Sequence, residues 1–283
     1  MIFLHTIILF AVAAVAGALN SFAGGGSFIS FPALVFTGVP IISANVTNKI
    51  ALWPGAMSSA AAYRRELMAV SHTMLILVGV SIVGGILGAL LLLNINPDTF
   101  SAMVPYLLLT ATLLFIFSNR IKAWAQRRNQ PAGSAASPAT TTAAPHTPAP
   151  LSPTWQRLAV MAVLQFIIAI YGGFFGGGIG IMMLAMLAVT GMEHMHTMNA
   201  LKNLLGSFIT GISVVTFVIE DIMMRLQTSE GIVAWPQAIL MIIGASLGGY
   251  VGGSYARTLN PELVRRAVIV AGIVMTIIFF VRS

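Results

Sequence analysis

The chain is a succession of apolar runs, most of them near the length of a bilayer crossing, separated by short polar segments. A crossing helix needs about 20 apolar residues. Runs of that size fall at 2–22, 43–62, 71–93 and 100–118, and then at 157–175, 198–219, 234–256 and 263–281. Two further apolar pieces, 27–37 and 180–190, are too short to cross, and each follows a triple glycine. The pattern predicts an all-α, polytopic membrane protein with about eight transmembrane helices and two short interrupted helices. The start of the chain could pass for a signal-peptide core, but no Lys or Arg precedes Lys49. Without a basic leader, 2–22 reads as the first membrane helix.

The runs form two sets. Residues 1–118 make a first membrane repeat and 157–283 a second, joined by 119–156, where Arg120, Lys122, Arg127 and Arg128 lead into a stretch with six prolines between 131 and 153. That composition predicts a flexible linker. The sets repeat each other: Gly24-Gly25-Gly26 returns as Gly176-Gly177-Gly178, and Thr37-Gly38 as Thr190-Gly191. Asn45, Asn48 and Lys49 return as Asn199, Lys202 and Asn203, and Asn96-Pro97-Asp98 as Asn260-Pro261-Glu262. The last pair marks helix starts, where Asn caps, Pro fits the first turn and the acid faces the positive end of the dipole.

Charge sets the expected orientation. Arg64, Arg65, the linker cluster, Arg257, Arg265 and Arg266 belong on the cytoplasmic side, and the loops with Asp98 and with Glu220, Asp221 and Glu230 outside. Each repeat then makes an odd number of net crossings, so the second is inverted relative to the first. Both termini face outward and the linker lies in the cytoplasm.

Composition removes whole classes. With 58% hydrophobic and 7% charged residues the chain cannot coat a soluble globule. Its net charge of +7 sits between the apolar runs, so it reports membrane topology and not a nucleic-acid partner. Zero cysteines exclude disulfides, thiolate metal sites and a Cys nucleophile. There is no zinc-protease helix motif, no nucleophile elbow and no pair of intramembrane carboxylates, so no catalytic residue, cofactor or resident metal is assigned.

Inverted repeats with interrupted helices point to a secondary transporter whose site lies at the repeat interface. The triple glycines Gly24, Gly25, Gly26 and Gly176, Gly177, Gly178 let the backbone turn and offer N–H groups to an anion at a helix start, with Ser27 adding a hydroxyl. Gly84, Gly88, Gly244, Gly248 and Gly252 read instead as packing glycines. Lys49 and Lys202 are the ionisable side chains well inside expected spans, each costing about 2.5 to 3.5 kcal/mol at a helix centre. Asn45, Asn48 and Lys49 share one helix face, as do Asn199, Lys202 and Asn203. The alternative for the lysines is a place near a helix end, snorkelling to headgroups. No Asp or Glu falls clearly inside a span, which favours a small anionic substrate. Export of an anion from a negative-inside cytoplasm then needs no ion coupling, unless Glu193 supplies it. An anion channel of the same architecture is the runner-up. A soft-metal (Ni or Cu) transporter rests on Met182, Met183, Met186, Met192, His194, Met195, His196 and Met198, a set that also suits plain packing.

The run Asn20-Ser21-Phe22-Ala23-Gly24-Gly25-Gly26-Ser27, then Phe31-Pro32-Ala33-Leu34, the stretch Ala44-Asn45-Val46-Thr47-Asn48-Lys49 and the Gly172-Gly173 to Gly178 block resemble the TauE/SafE family of sulfite exporters. The resemblance covers nearly the whole chain outside the linker. It departs in the second short piece, which lacks a counterpart of Pro32, and in the length of the linker. It implies export of sulfite, sulfonates or related organosulfur anions across a bacterial inner membrane, with the lipid bilayer as surroundings and the oligomeric state open.

Overall fold

The computed structural model describes residues 2–22, 25–62, 72–128, 155–190, 192, 195–255 and 261–282. Among them are ten helices: α1 (Ile2–Phe22), α2 (Ser27–Phe36), α3 (Ile41–Ala62), α4 (His72–Asn94), α5 (Pro97–Arg128), α6 (Trp155–Phe174), α7 (Ile179–Val189), α8 (Met195–Thr228), α9 (Trp235–Tyr255) and α10 (Pro261–Arg282). Apart from turns, the described residues are helical, and each apolar run of the sequence falls on a helix over its described residues. Met74–Asn94, Pro97–Ser118, Trp155–Phe174 and Thr197–Thr228 are long and apolar enough to cross a membrane, while Ser27–Phe36 and Ile179–Val189 are shorter apolar helices. On α6, Val160, Val163 and Ile167 are more than half exposed along one stripe, a surface that suits lipid and not water. The chain is a multi-pass membrane protein.

Two helices outrun the expected spans. α5 continues to Arg128, into the segment read as linker, because Ala, Arg, Lys and Gln favour helix and no proline occurs before Pro131. The remainder of that segment, 129–154, lies outside the described residues. α8 continues through 220–228, expected as loop, and stops at Ser229, whose φ is 61°. Asp221 therefore stands within the apolar helix Thr197–Thr228 and is buried, contrary to the expectations that it lies in a loop and that no Asp or Glu falls inside a span. Arg225 Nε donates to its carboxylate at 2.8 Å, as do the Val233 N–H at 2.8 Å and Trp235 Nε1 at 2.7 Å. One carboxylate thus closes the turn from α8 into α9. Spacing of i,i+4 for Asp221 and Arg225 is what lets the charges stabilise a helix.

The packing has a pairwise regularity. Matching α1–α5 in order with α6–α10 sends the α1–α9 contact onto α6–α4, α3–α9 onto α8–α4, α2–α10 onto α7–α5, α1–α2 onto α6–α7 and α2–α3 onto α7–α8. The α3–α8 and α5–α10 contacts map onto themselves. The two most extensive crossings run on small residues. A Cβ on Gly88 of α4 would enter the Ile170 carbonyl of α6, and one on Gly248 of α9 would enter the Ala14 carbonyl of α1. Such close approach replaces the hydrophobic driving force that helices lack in lipid.

Candidate functional site

The two short helices end alike. Thr37 closes α2, donating through Oγ1 to the carbonyls of Ala33 at 3.0 Å and Leu34 at 2.9 Å. Thr190 closes α7 on Met186 at 2.9 Å and Leu187 at 3.0 Å. Val39 N–H reaches back to Leu34 O at 3.1 Å, and Met192 N–H to Leu187 O at 3.1 Å. Gly38, at φ 91°, supplies the left-handed residue that this C-cap needs. The repeated Thr-Gly of the sequence is thus a helix stop, and its second glycine, Gly191, lies outside the described residues.

Their starts differ. Ahead of α2, Gly26 is right-handed (φ −57°, ψ −35°) and donates its N–H to Asn20 Oδ1 at 3.1 Å. A Cβ there would enter the Ala16 carbonyl, and one on Gly25 would enter Val268. The Ser30 hydroxyl bridges the Gly26 carbonyl at 3.0 Å and Asn48 Oδ1 at 2.5 Å, so α3 holds the first turn of α2. Gly24 lies outside the described residues.

Ahead of α7, Gly176 (φ 91°) and Gly178 (φ 79°) are left-handed, which L side chains rarely adopt. Both Phe175 and Gly176 turn their N–H groups back to Tyr171 O, and the Tyr171 hydroxyl donates to Gly177 O at 2.8 Å. Asn45 and Lys49 of α3 cross to this end of α6. Asn45 Nδ2 donates to Phe174 O at 2.9 Å, and Lys49 Nζ donates to Gly172 O at 2.9 Å and also to Gly173 O. Lys49 is buried, with its ammonium 5.4 Å from the Phe217 ring centre. Neither short helix has a side-chain cap at its start.

Ser27, Asn45, Asn48 and Gly177 share a small cavity with Phe28, Phe31, Leu108 and Phe175. It has room for about one water molecule. The start of α2, the polar face of α3 and the turn before α7 therefore meet. Carboxylates are absent from the lining. Lys202, Asn199 and Asn203 stand on α8, half-buried and apart from that lining. The Lys49 stem lies against Gly176, and the Lys202 stem lies against Gly180 in the first turn of α7. Asn20, Ser30 and Tyr171 were not singled out as site residues from the sequence. Ser30 had a signal, being a lone polar residue on an otherwise apolar turn of α2, whereas Tyr171 had none.

The methionine-rich segment packs. Met183, Met186, Met192 and Met198 are buried in one cluster with Leu184, Leu187 and Leu201. Glu193 and His194 lie outside the described residues, and among those described no group of three His, Asp or Glu comes together.

Residues 9–279 match the family model described as Sulfite exporter TauE/SafE. The chain belongs to the TauE/SafE family. It is 29% identical over 277 residues to a "Probable membrane transporter protein" of Haemophilus influenzae, with 95% of this chain and 92% of the relative covered. It is 27% identical over 271 residues to a probable membrane transporter protein of a Sinorhizobium species, covering 95% and 90%. To the "Probable membrane transporter protein YfcA" of Escherichia coli it is 24% identical over 279 residues, covering 95% and 87%. No solved structure matches significantly. TauE/SafE membership over nearly the full length makes this chain a membrane transporter.

Proposed function

We propose that the protein is a permease of small anions, with sulfite, sulfonates and related organosulfur anions as its substrate class, working by alternating access where two inverted repeats meet. The observation that carries this reading is the cavity between the α2 start and the turn before α7. Its polar groups are the hydroxyl of Ser27, the amides of Asn45 and Asn48 and the backbone of Gly177, with aromatic rings around them. Neutral donors at two helix starts suit an anion, because each start carries partial positive charge. Lys49, against Gly176, and Lys202, against Gly180, add charge near the start of α7 without standing in the cavity wall. In this arrangement the cavity is too small for sulfite, so it corresponds to a closed state and transport requires α2 and α7 to separate.

The protein resides in a bacterial inner membrane with both termini outside and the linker cytoplasmic, since the basic segments then lie inside. The membrane potential contributes about 2.3 kcal/mol per charge per 100 mV to export. The test is uptake into liposomes of sulfite, sulfoacetate, sulfate, acetate, Ni(II) and Cu(I), with the potential clamped at two values. Saturable, potential-dependent sulfur-anion flux is expected, and Asn48→Ala lowers it. Metal flux without anion flux overturns the reading, and unsaturable current without counterflow makes the protein a channel.

A further inference from the structure

Lys49 makes the contacts of a cation in a carbonyl seat. The last four carbonyls of an α-helix have no partner within the helix and carry the negative end of its dipole. At the end of α6, backbone N–H groups of Phe175 and Gly176 both go to Tyr171 O, which leaves the next three carbonyls to side chains. Lys49 Nζ takes Gly172 O and Gly173 O, and Asn45 Nδ2 takes Phe174 O. Every oxygen here is neutral, the end is a helix C-terminus, and the Phe217 ring faces the ammonium. Carbonyls of this kind hold Na⁺ in inverted-repeat carriers, and an aromatic face adds attraction for a cation. Glycine at 172 and 173 lets this end of α6 pack closely on α4 and α8: a Cβ on Gly173 would enter the Gly85 carbonyl, and one on Gly172 would meet the Ile209 side chain.

We propose that the Lys49 ammonium is a tethered cation occupying a seat built for an alkali ion, so that this transporter carries its coupling cation covalently and moves its substrate without Na⁺. The seat consists of the carbonyls of Gly172 and Gly173, which Lys49 Nζ contacts, with the Phe174 carbonyl next to them held by the Asn45 amide. Only the statement about flux rests on the anion-permease reading. The seat itself is testable without any substrate.

The experiment is thermal unfolding of the full chain in detergent, in NaCl, KCl or choline chloride of equal ionic strength. Wild type is expected to unfold at one temperature in all three salts. Lys49→Ala and Lys49→Ser are expected to unfold lower in choline and to gain a saturable rise in Tm with NaCl, roughly 5 °C at a hundredfold excess over Kd. Folded variants that ignore Na⁺ overturn the proposal, as does a wild type that Na⁺ stabilises. Should neither variant fold, sulfite flux into wild-type liposomes decides: equal rates in Na⁺ and choline support the tethered cation, and Na⁺-dependent rates overturn it. Absence of any sulfite flux beside a Na⁺-responsive Lys49→Ala sinks the anion reading and leaves the seat standing.

Discussion

The short helices α2 and α7 carry the same motif, three glycines, an apolar turn or two and Thr-Gly, yet only their C-terminal ends share a structure. Threonine closes both on the same pair of carbonyls, within 0.1 Å in the bond lengths. At the N-terminal ends, Gly26 is right-handed and tied to Asn20, while Gly176 and Gly178 are left-handed and the Lys49 stem lies against Gly176. A helix stop is a local device whose partners all lie within five residues. A helix start left without a local cap takes whatever the neighbouring helices bring. Near-identical sequence motifs therefore give one conserved geometry at one end and two unlike environments at the other.

The largest way to break this contrast is at the lysines. Lys49→Met leaves two buried carbonyls without a donor, and the expected loss in choline chloride is about 2–5 kcal/mol of unfolding free energy. Lys202→Met, at a half-buried position, is expected to lose less. Equal losses on denaturant unfolding in detergent would show that the two repeats use their lysines alike.

The glycines sharpen it next. Gly26→Ala drives a Cβ into the Ala16 carbonyl, which costs about 1–3 kcal/mol. Gly178→Ala has ordinary contact distance to Ala111, 3.4 Å, but must hold φ 79°, at a cost of about 1–2 kcal/mol. Asparagine tells the causes apart, because it tolerates the left-handed region and needs more space. Gly178→Asn is expected to unfold above Gly178→Ala, and Gly26→Asn below Gly26→Ala; the same order at both sites would refute the distinction.

Smaller effects follow at the single bonds. Asn20→Ala frees the Gly26 N–H and Tyr171→Phe frees the Gly177 carbonyl, each expected to lower stability by about 1 kcal/mol. Since the Tyr171 hydroxyl bonds Gly177, an accessibility probe near Gly177 responds to its loss while one near Gly26 does not. Smallest are Thr37→Val and Thr190→Val, at about 0.5 kcal/mol each. Those two melting shifts are expected to coincide, and a clear difference would mean the C-terminal ends are less alike than their bond lengths.

Much of the helical layout was legible in the sequence. Span length, the two short apolar pieces and the Asn-Pro-acid start at Asn96, whose Oδ1 accepts the Asp98 N–H at 2.9 Å, follow from local rules. Helix ends within charged segments were not, because Arg120 to Arg128 and Asp221 to Arg225 suit a helix as well as a loop. Burial of Asp221 depended on Val233 and Trp235 arriving from the far side of a turn. At the candidate site, Asn45, Asn48 and Lys49 stood out as polar residues in an apolar run, but their partners did not. Periodicity puts the three on one face without saying what that face meets.

By itself, the sequence determined that this is a multi-pass helical membrane protein of the TauE/SafE family, because apolar length, charge placement and motifs are properties of contiguous residues. Only the tertiary structure decided that Lys49 closes the end of α6, 123 and 124 positions away, and that Ser30 and Asn48 hold the start of α2. The physical reason is that a polar group inside a bilayer must find its partner within the protein. Which partner it finds depends on helices that meet only after the chain has folded.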